Sequence, residues 1–175
     1  EFGYQFLAPL PVAEKLASSI MEAAKSEGGA PCGFDAHQFA RLEGNFFNIY
    51  AEGNSIKNPL ELGLQWMMDF SKESFLGSDK LFAERKNGVK RKITAVKSEK
   101  PLDCGTKIFD SATQVGEICV SKTCGKKHLE LALFDSIYAL PGFEFSTSPG
   151  GVCDVKTVLR PFILAQSLIR GMEQQ

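Results

Sequence analysis

The texture of the chain changes once, near residues 70 to 77. Before that point apolar residues recur at helical spacing. From Val89 onward they fall in short runs, Ile93 to Val96, Thr106 to Phe109, Gly116 to Val120, Leu129 to Phe134 and Val152 to Leu159, broken by Gly, Pro, Asp and Ser. A chain with that division is α+β: a mixed α/β piece in front and a small barrel or sandwich behind. With 43% apolar residues in 175, there is enough to bury a core for one compact domain or two small ones.

Phe2 to Ala8 reads as a strand ended by Pro9, and Pro11 can open a helix because its missing N–H has no partner in the first turn. Between Pro11 and Ser26 the apolar Val12, Leu16, Ile20 and Ala23 or Ala24 keep helical spacing, with Gly28-Gly29 as the stop; this helix is expected to cover a sheet with one face. A second helix is signalled by Asp35 and Gln38 as a capping pair, with Phe34 and Phe39 as the hydrophobic staple around it. Its spacing places His37 and Arg41 on one face and Phe39 and Leu42, with Phe46 as their extension, on the opposite, buried one. A third helix is expected from Ser78 to Asn87, burying Leu81 and Phe82.

The net charge of −1, with Lys and Arg spread along the chain, offers no electrostatic footprint for nucleic acid or a membrane surface, and no uncharged stretch approaches a membrane span. Five cysteines at irregular spacing fit reduced thiols and a cytoplasmic setting better than a disulfide framework. Cys119, Cys124 and His128 lack structural-zinc spacing, and positions five apart on a strand point to opposite faces, so no metal site is expected there. Lys122 to Lys127 reads as a solvated hairpin turn. A lone His37 is more readily a partly buried structural histidine than a ligand contact. Trp66, the single tryptophan, is either a core aromatic or a stacking wall for a planar ligand such as a pterin.

Four segments, in this order and spacing, resemble the glycine-cleavage T-protein (aminomethyltransferase) family over nearly the whole chain. Glu1-Phe-Gly-Tyr-Gln5 is similar to that family's Gly-Glu-x-Gly-aromatic-Glu strand. Gly33-Phe-Asp-Ala-His-Gln-Phe-Ala-Arg-Leu-Glu43 is similar to its Gly-Leu-x-Ala-Arg-Asp-x-Leu-Arg-Leu-Glu helix. Pro59-x-Glu61 with Leu64-Gln-Trp66 matches its Thr-Pro-x-Glu-x-x-Leu-x-Trp turn, and Phe70-Ser-Lys-Glu-Ser-Phe-Leu-Gly77 matches the entry to its C-terminal barrel. The resemblance covers the family's C-terminal half. It implies a folate-binding-domain portion over residues 1–72 and a C-terminal β-barrel domain over residues 73–175.

The resemblance further implies tetrahydrofolate as the ligand, one-carbon transfer as the chemistry and a lipoyl carrier protein as partner, with Tyr4, Gln5, His37, Arg41 and Trp66 as folate-contacting positions. At three of the family's contact positions this chain departs: Gln5 stands for a glutamate, His37 for an arginine and Leu168 for a tyrosine. An amide gives a pterin edge one acceptor and one mismatched donor where a carboxylate gives two acceptors, and an imidazole lacks the guanidinium's bidentate fork. The iron–sulfur-assembly branch carries a cysteine at the barrel entry that is lacking in Ser71 to Gly77. The expectation is therefore a fragment of a divergent, folate-dependent transferase with weakened binding, inactive alone because the family's catalytic aspartate lies in its other half. The alternative is a non-catalytic binding or assembly module on the same scaffold. Exposed apolar surface around Phe2 to Ala8 and Phe46-Phe47 would make such a fragment self-associate.

Overall fold

The computed structural model describes residues 3–56 and 58–164. Its helices are α1 (Leu10–Ser26), α2 (Phe34–Glu43), the single turn α3 (Glu52–Ser55) and α4 (Ser78–Asn87). Six strands follow: β1 (Arg91–Ser98), β2 (Lys107–Asp110), β3 (Thr113–Cys124), β4 (Lys127–Asp135), β5 (Glu144–Phe145) and β6 (Val155–Val158). The front of the described chain is helical and the back is β, as the change of texture implies. None of the described helices is long and apolar enough to cross a membrane.

The strands form one antiparallel sheet in the order β2-β3-β4-β1-β6-β5. Its two edges meet where Phe109 and Ser146 exchange backbone hydrogen bonds of 2.8 and 3.0 Å, which nearly closes the sheet into a barrel. Alternation along the strands fills two cores. Val96, Ile108, Val115, Ile118, Ala132, Phe134, Phe145 and Val155 point inward and fill the barrel. Ile93, Ala95, Val120 and Leu131 point outward, where Leu42, Ile56 and Leu62 cover them. Helical and β parts therefore share a hydrophobic layer. At Gly116 the inner face has no room for a side chain, since a Cβ there would lie 2.7 Å from the Phe134 ring.

Four expectations for the front part require correction. Residues 3 to 9 form no strand, and Tyr4, Phe6 and Leu7 are exposed; no described strand offers them a ladder, because all six pair among themselves. Helix α1 forms as expected but buries none of its residues, and Val12 and Ile20 face solvent. It covers no sheet, and the outer barrel face is covered by Leu42, Ile56 and Leu62. Gly33, not Asp35, is the residue that caps α2, and Phe34 is exposed, so neither capping pair nor staple is made. Gln38 is drawn away because its carbonyl accepts from the Arg41 guanidinium, a charge-assisted bond stronger than a cap bond. Finally, His37 is exposed while Arg41 is buried with Gln38, Phe39 and Leu42, and Phe46, expected on the buried face, is exposed because α2 ends at Glu43.

Helix α4 matches its expected limits because glycines at φ +84° and +78°, Gly77 and Gly88, bracket it. Leu81 and Phe82 are half-buried, and the Phe82 ring meets Phe70 and Phe75, each at 5.9 Å.

Candidate functional site

The last turn of α2 carries a cation into the interior. Arg41 Nε donates to Gln38 Oε1 at 2.9 Å, and its Nη1 donates to the Phe46 carbonyl at 2.7 Å and to Glu52 Oε1 at 2.8 Å. Glu52, at the start of α3, is itself buried, and its second oxygen accepts the Asn48 N–H at 2.8 Å. Asn48 Nδ2 reaches back to Gln38 at 3.2 Å. These four side chains fix the loop between α2 and α3 by satisfying one another, as a buried ion pair requires. Arg41 Nη2 is left buried without a hydrogen-bond partner among the described residues.

Glu52 faces a small cavity of about 30 Å³, room for one or two waters. Phe46, Phe47, Leu62, Leu64, Trp66 and Arg160 contribute to its wall. Trp66 is 76% exposed and stands as the solvent side of that wall, on a single 3-10 turn, Gln65–Met67. Arg160 donates from Nη2 to the Ile93 carbonyl at 3.1 Å, and burial lowers its pKa from the ordinary guanidinium value. Beyond Phe47, Leu62 and Leu64 a wider groove of about 440 Å³ opens, lined also by Ile49, Tyr50 and Pro59. A buried carboxylate that can accept more hydrogen bonds, a neighbouring cation and an exposed indole face form a set able to hold a planar ligand with donor groups on one edge.

The expected contact residues are thus divided. Arg41 sets the position of Glu52, and Trp66 lines the same cavity as Glu52. Tyr4, 90% exposed, and Gln5 lie in the irregular segment before α1, and His37 lies on the surface against the Phe34 ring, with centroids 6.3 Å apart. None of those three lines the cavity. Leu168 lies outside the described residues. Glu52 and Arg160 were missed by the sequence reading. Glu52 sits in Ala51-Glu-Gly53, where nothing marks it as buried, and Arg160 lies more than a hundred residues away from it. No local signal marked either residue, because helical spacing placed Arg41 opposite the buried face of α2.

Of the three residues weighed as a metal cluster, Cys119 is half-buried and donates to the Leu131 carbonyl at 3.2 Å, while Cys124 is exposed in the β3–β4 hairpin beside Lys127. Among the described residues there is no group of three potential metal ligands.

The nearly closed barrel with its helical piece is a fold shared with a solved structure. The glycine cleavage system aminomethyltransferase T from Bartonella henselae superposes with a TM-score of 0.74 over 89% of this chain and 45% of that one, at 20% identity. Residues 1–72 match the family model "GCVT N-terminal domain". An aminomethyltransferase from Lysinibacillus sphaericus is 28% identical over 167 residues, 93% of this chain and 46% of the relative. One from Caldanaerobacter subterraneus subsp. tengcongensis is 31% identical over 148 residues, 81% of this chain and 39% of the relative. These matches support the glycine-cleavage T-protein family, and the chain spans less than half of the length of these curated relatives.

Proposed function

We propose that this chain is part of a divergent, tetrahydrofolate-dependent one-carbon transfer protein of the aminomethyltransferase kind, with residues 1–72 as a portion of its folate-binding domain and residues 73–175 as its barrel domain. The observation that carries this reading is the wall shared by Glu52 and Trp66: a carboxylate for the donor edge of a pterin and an indole for its face. The polar groups suit a pterin, but the cavity of about 30 Å³ does not admit one without widening toward the adjoining groove. Affinity for reduced folate is accordingly low. A lipoyl carrier protein as partner and a cytoplasmic location belong to the same reading.

One observation favours the second reading, a non-catalytic binding or assembly module: Tyr4, Gln5 and His37 are all turned to solvent away from the cavity wall. Titration calorimetry of tetrahydrofolate into the Gln5→Glu, His37→Arg double variant separates the two. Tighter binding than the parent supports the transferase reading, in which those positions fold onto the ligand; unchanged affinity supports the module.

A further inference from the structure

The turn that precedes β2 brings two cysteines together. The Thr106 N–H returns to the Asp103 carbonyl at 3.1 Å, and the third residue of that turn, Gly105, has φ +89°, the arrangement of a type II turn. Gly105 N–H then donates to Ile118 O at 2.8 Å, and Ile118 N–H donates to Thr106 O at 2.9 Å. That pair of bonds, with a left-handed glycine, sets Gly105 and Thr106 together opposite Ile118, which is a G1 bulge. The ladder before it reads Lys107 opposite Glu117. Cys104, at the corner of the turn, and Cys119, the residue after Ile118, therefore flank the 2.8 Å Gly105–Ile118 hydrogen bond, which holds their backbones side by side, the closeness a disulfide requires.

Both cysteines also line one open groove of about 470 Å³, together with Arg91, Glu117, Leu133 and Asp135. Cys104 is exposed and Cys119 is half-buried at the bottom, the unpaired residue where β3 shifts register against β4 between Ile118 and Val120. We propose that Cys104 and Cys119 are a dithiol that low-molecular-weight disulfides convert into an intramolecular disulfide tying the Asp103–Thr106 turn to β3. In the first step the Cys104 thiolate attacks one sulfur of the small disulfide, whose S–S bond breaks and releases one thiol, leaving a mixed disulfide on Cys104. In the second step Cys119 gives up its proton to solvent and attacks the Cys104 sulfur, expelling the second small thiol. Two protein thiols are oxidised and one small disulfide is reduced to two thiols.

The order follows from access and acidity. Burial first, then the carboxylate of Glu52 and the neighbouring Cys104, push the Cys119 thiol up to about 12, against a smaller opposing influence from Arg160. Closure is therefore the slow step. Its rate rises roughly tenfold per pH unit, since the thiolate is the attacking form.

The test uses the intact reduced chain and oxidised glutathione, followed by intact mass and peptide mapping without reductant. The wild-type chain is expected to pass through one glutathione adduct at Cys104 and end with the Cys104 and Cys119 peptides linked, faster at pH 9 than at pH 7 by roughly a hundredfold. The Cys119→Ser variant should retain the adduct at Cys104, and Cys104→Ser should leave Cys119 reduced. A wild-type chain that stops at the adduct, links Cys104 to Cys32, Cys124 or Cys153, or leaves Cys104 unmodified overturns the proposal.

Discussion

Arg41 Nη1 and Glu52 Oε1 stand 2.8 Å apart with both side chains more than nine-tenths buried. The pair ties the end of α2 to α3 and gives the cavity its carboxylate. Removing one member leaves the other charge buried without its partner, which costs about 3–5 kcal/mol. Glu52→Ala is therefore expected to lose that much in urea unfolding, and Arg41→Met combined with Glu52→Leu to lose less than either single change. A double variant as unstable as the sum of the two singles would contradict the pairing.

Gly116 predicts a second, purely steric effect. A methyl group there meets the Phe134 ring at 2.7 Å inside the filled barrel. Gly116→Ala should destabilise by about 1–3 kcal/mol, the usual cost of overpacking. Phe134→Leu in the same chain should recover part of the loss by vacating the ring position, as read by the unfolding midpoint of the single and double variants.

The barrel also holds a carboxyl group with an unusual environment. Glu130 is fully buried on β4, accepting the Leu102 N–H at 3.2 Å and the Ser98 hydroxyl at 3.4 Å, with His128 Nε2 4.0 Å away. Burial outweighs these contacts and raises its pKa above the ordinary carboxyl value of 4.5. A raised folded-state pKa means that the native state binds the proton more tightly than the unfolded chain. The resulting stabilisation is complete below the unfolded value and is lost as pH rises through the folded one. Relative to Glu130→Gln, the parent should lose stability as pH climbs from about 4 toward neutrality; thermal unfolding at a series of pH values that gives a constant difference would contradict this.

The exposed apolar side chains Tyr4, Leu7, Leu10, Tyr50 and Trp66 support self-association of the chain as it stands. Sedimentation velocity should show a dimer or larger species on approaching about 100 μM, well above typical micromolar affinities. A single monomeric boundary at that concentration would count against it.

What was legible in the sequence differs between the two parts for a physical reason. The barrel strands are short apolar runs bounded by turn residues, with β1 and β4 buried on both faces, so Ile93 to Val96 and Leu129 to Phe134 are visible locally, whereas the pairing of β1 with the distant β4 and β6 is not. The two-residue strand β5 was missed because it is too short to show a period. Helix α1 was readable from its spacing, but its exposure was not, since amphipathicity says that a face can be buried and not what will cover it. At the candidate site the tryptophan and Arg41 stood out by residue type, whereas Glu52 acquires its role only when a separate loop folds back over α2, which no local pattern records.

The wall of Glu52 and Trp66 is the proposed reduced-folate site. Titration calorimetry of tetrahydrofolate into the parent chain and into Trp66→Ala tests it directly. The predicted result is measurable saturable binding by the parent, weakened about tenfold in the variant, since stacking on an aromatic face contributes roughly 1–3 kcal/mol per base. Equal affinity for both chains, or no binding by the parent, would contradict it.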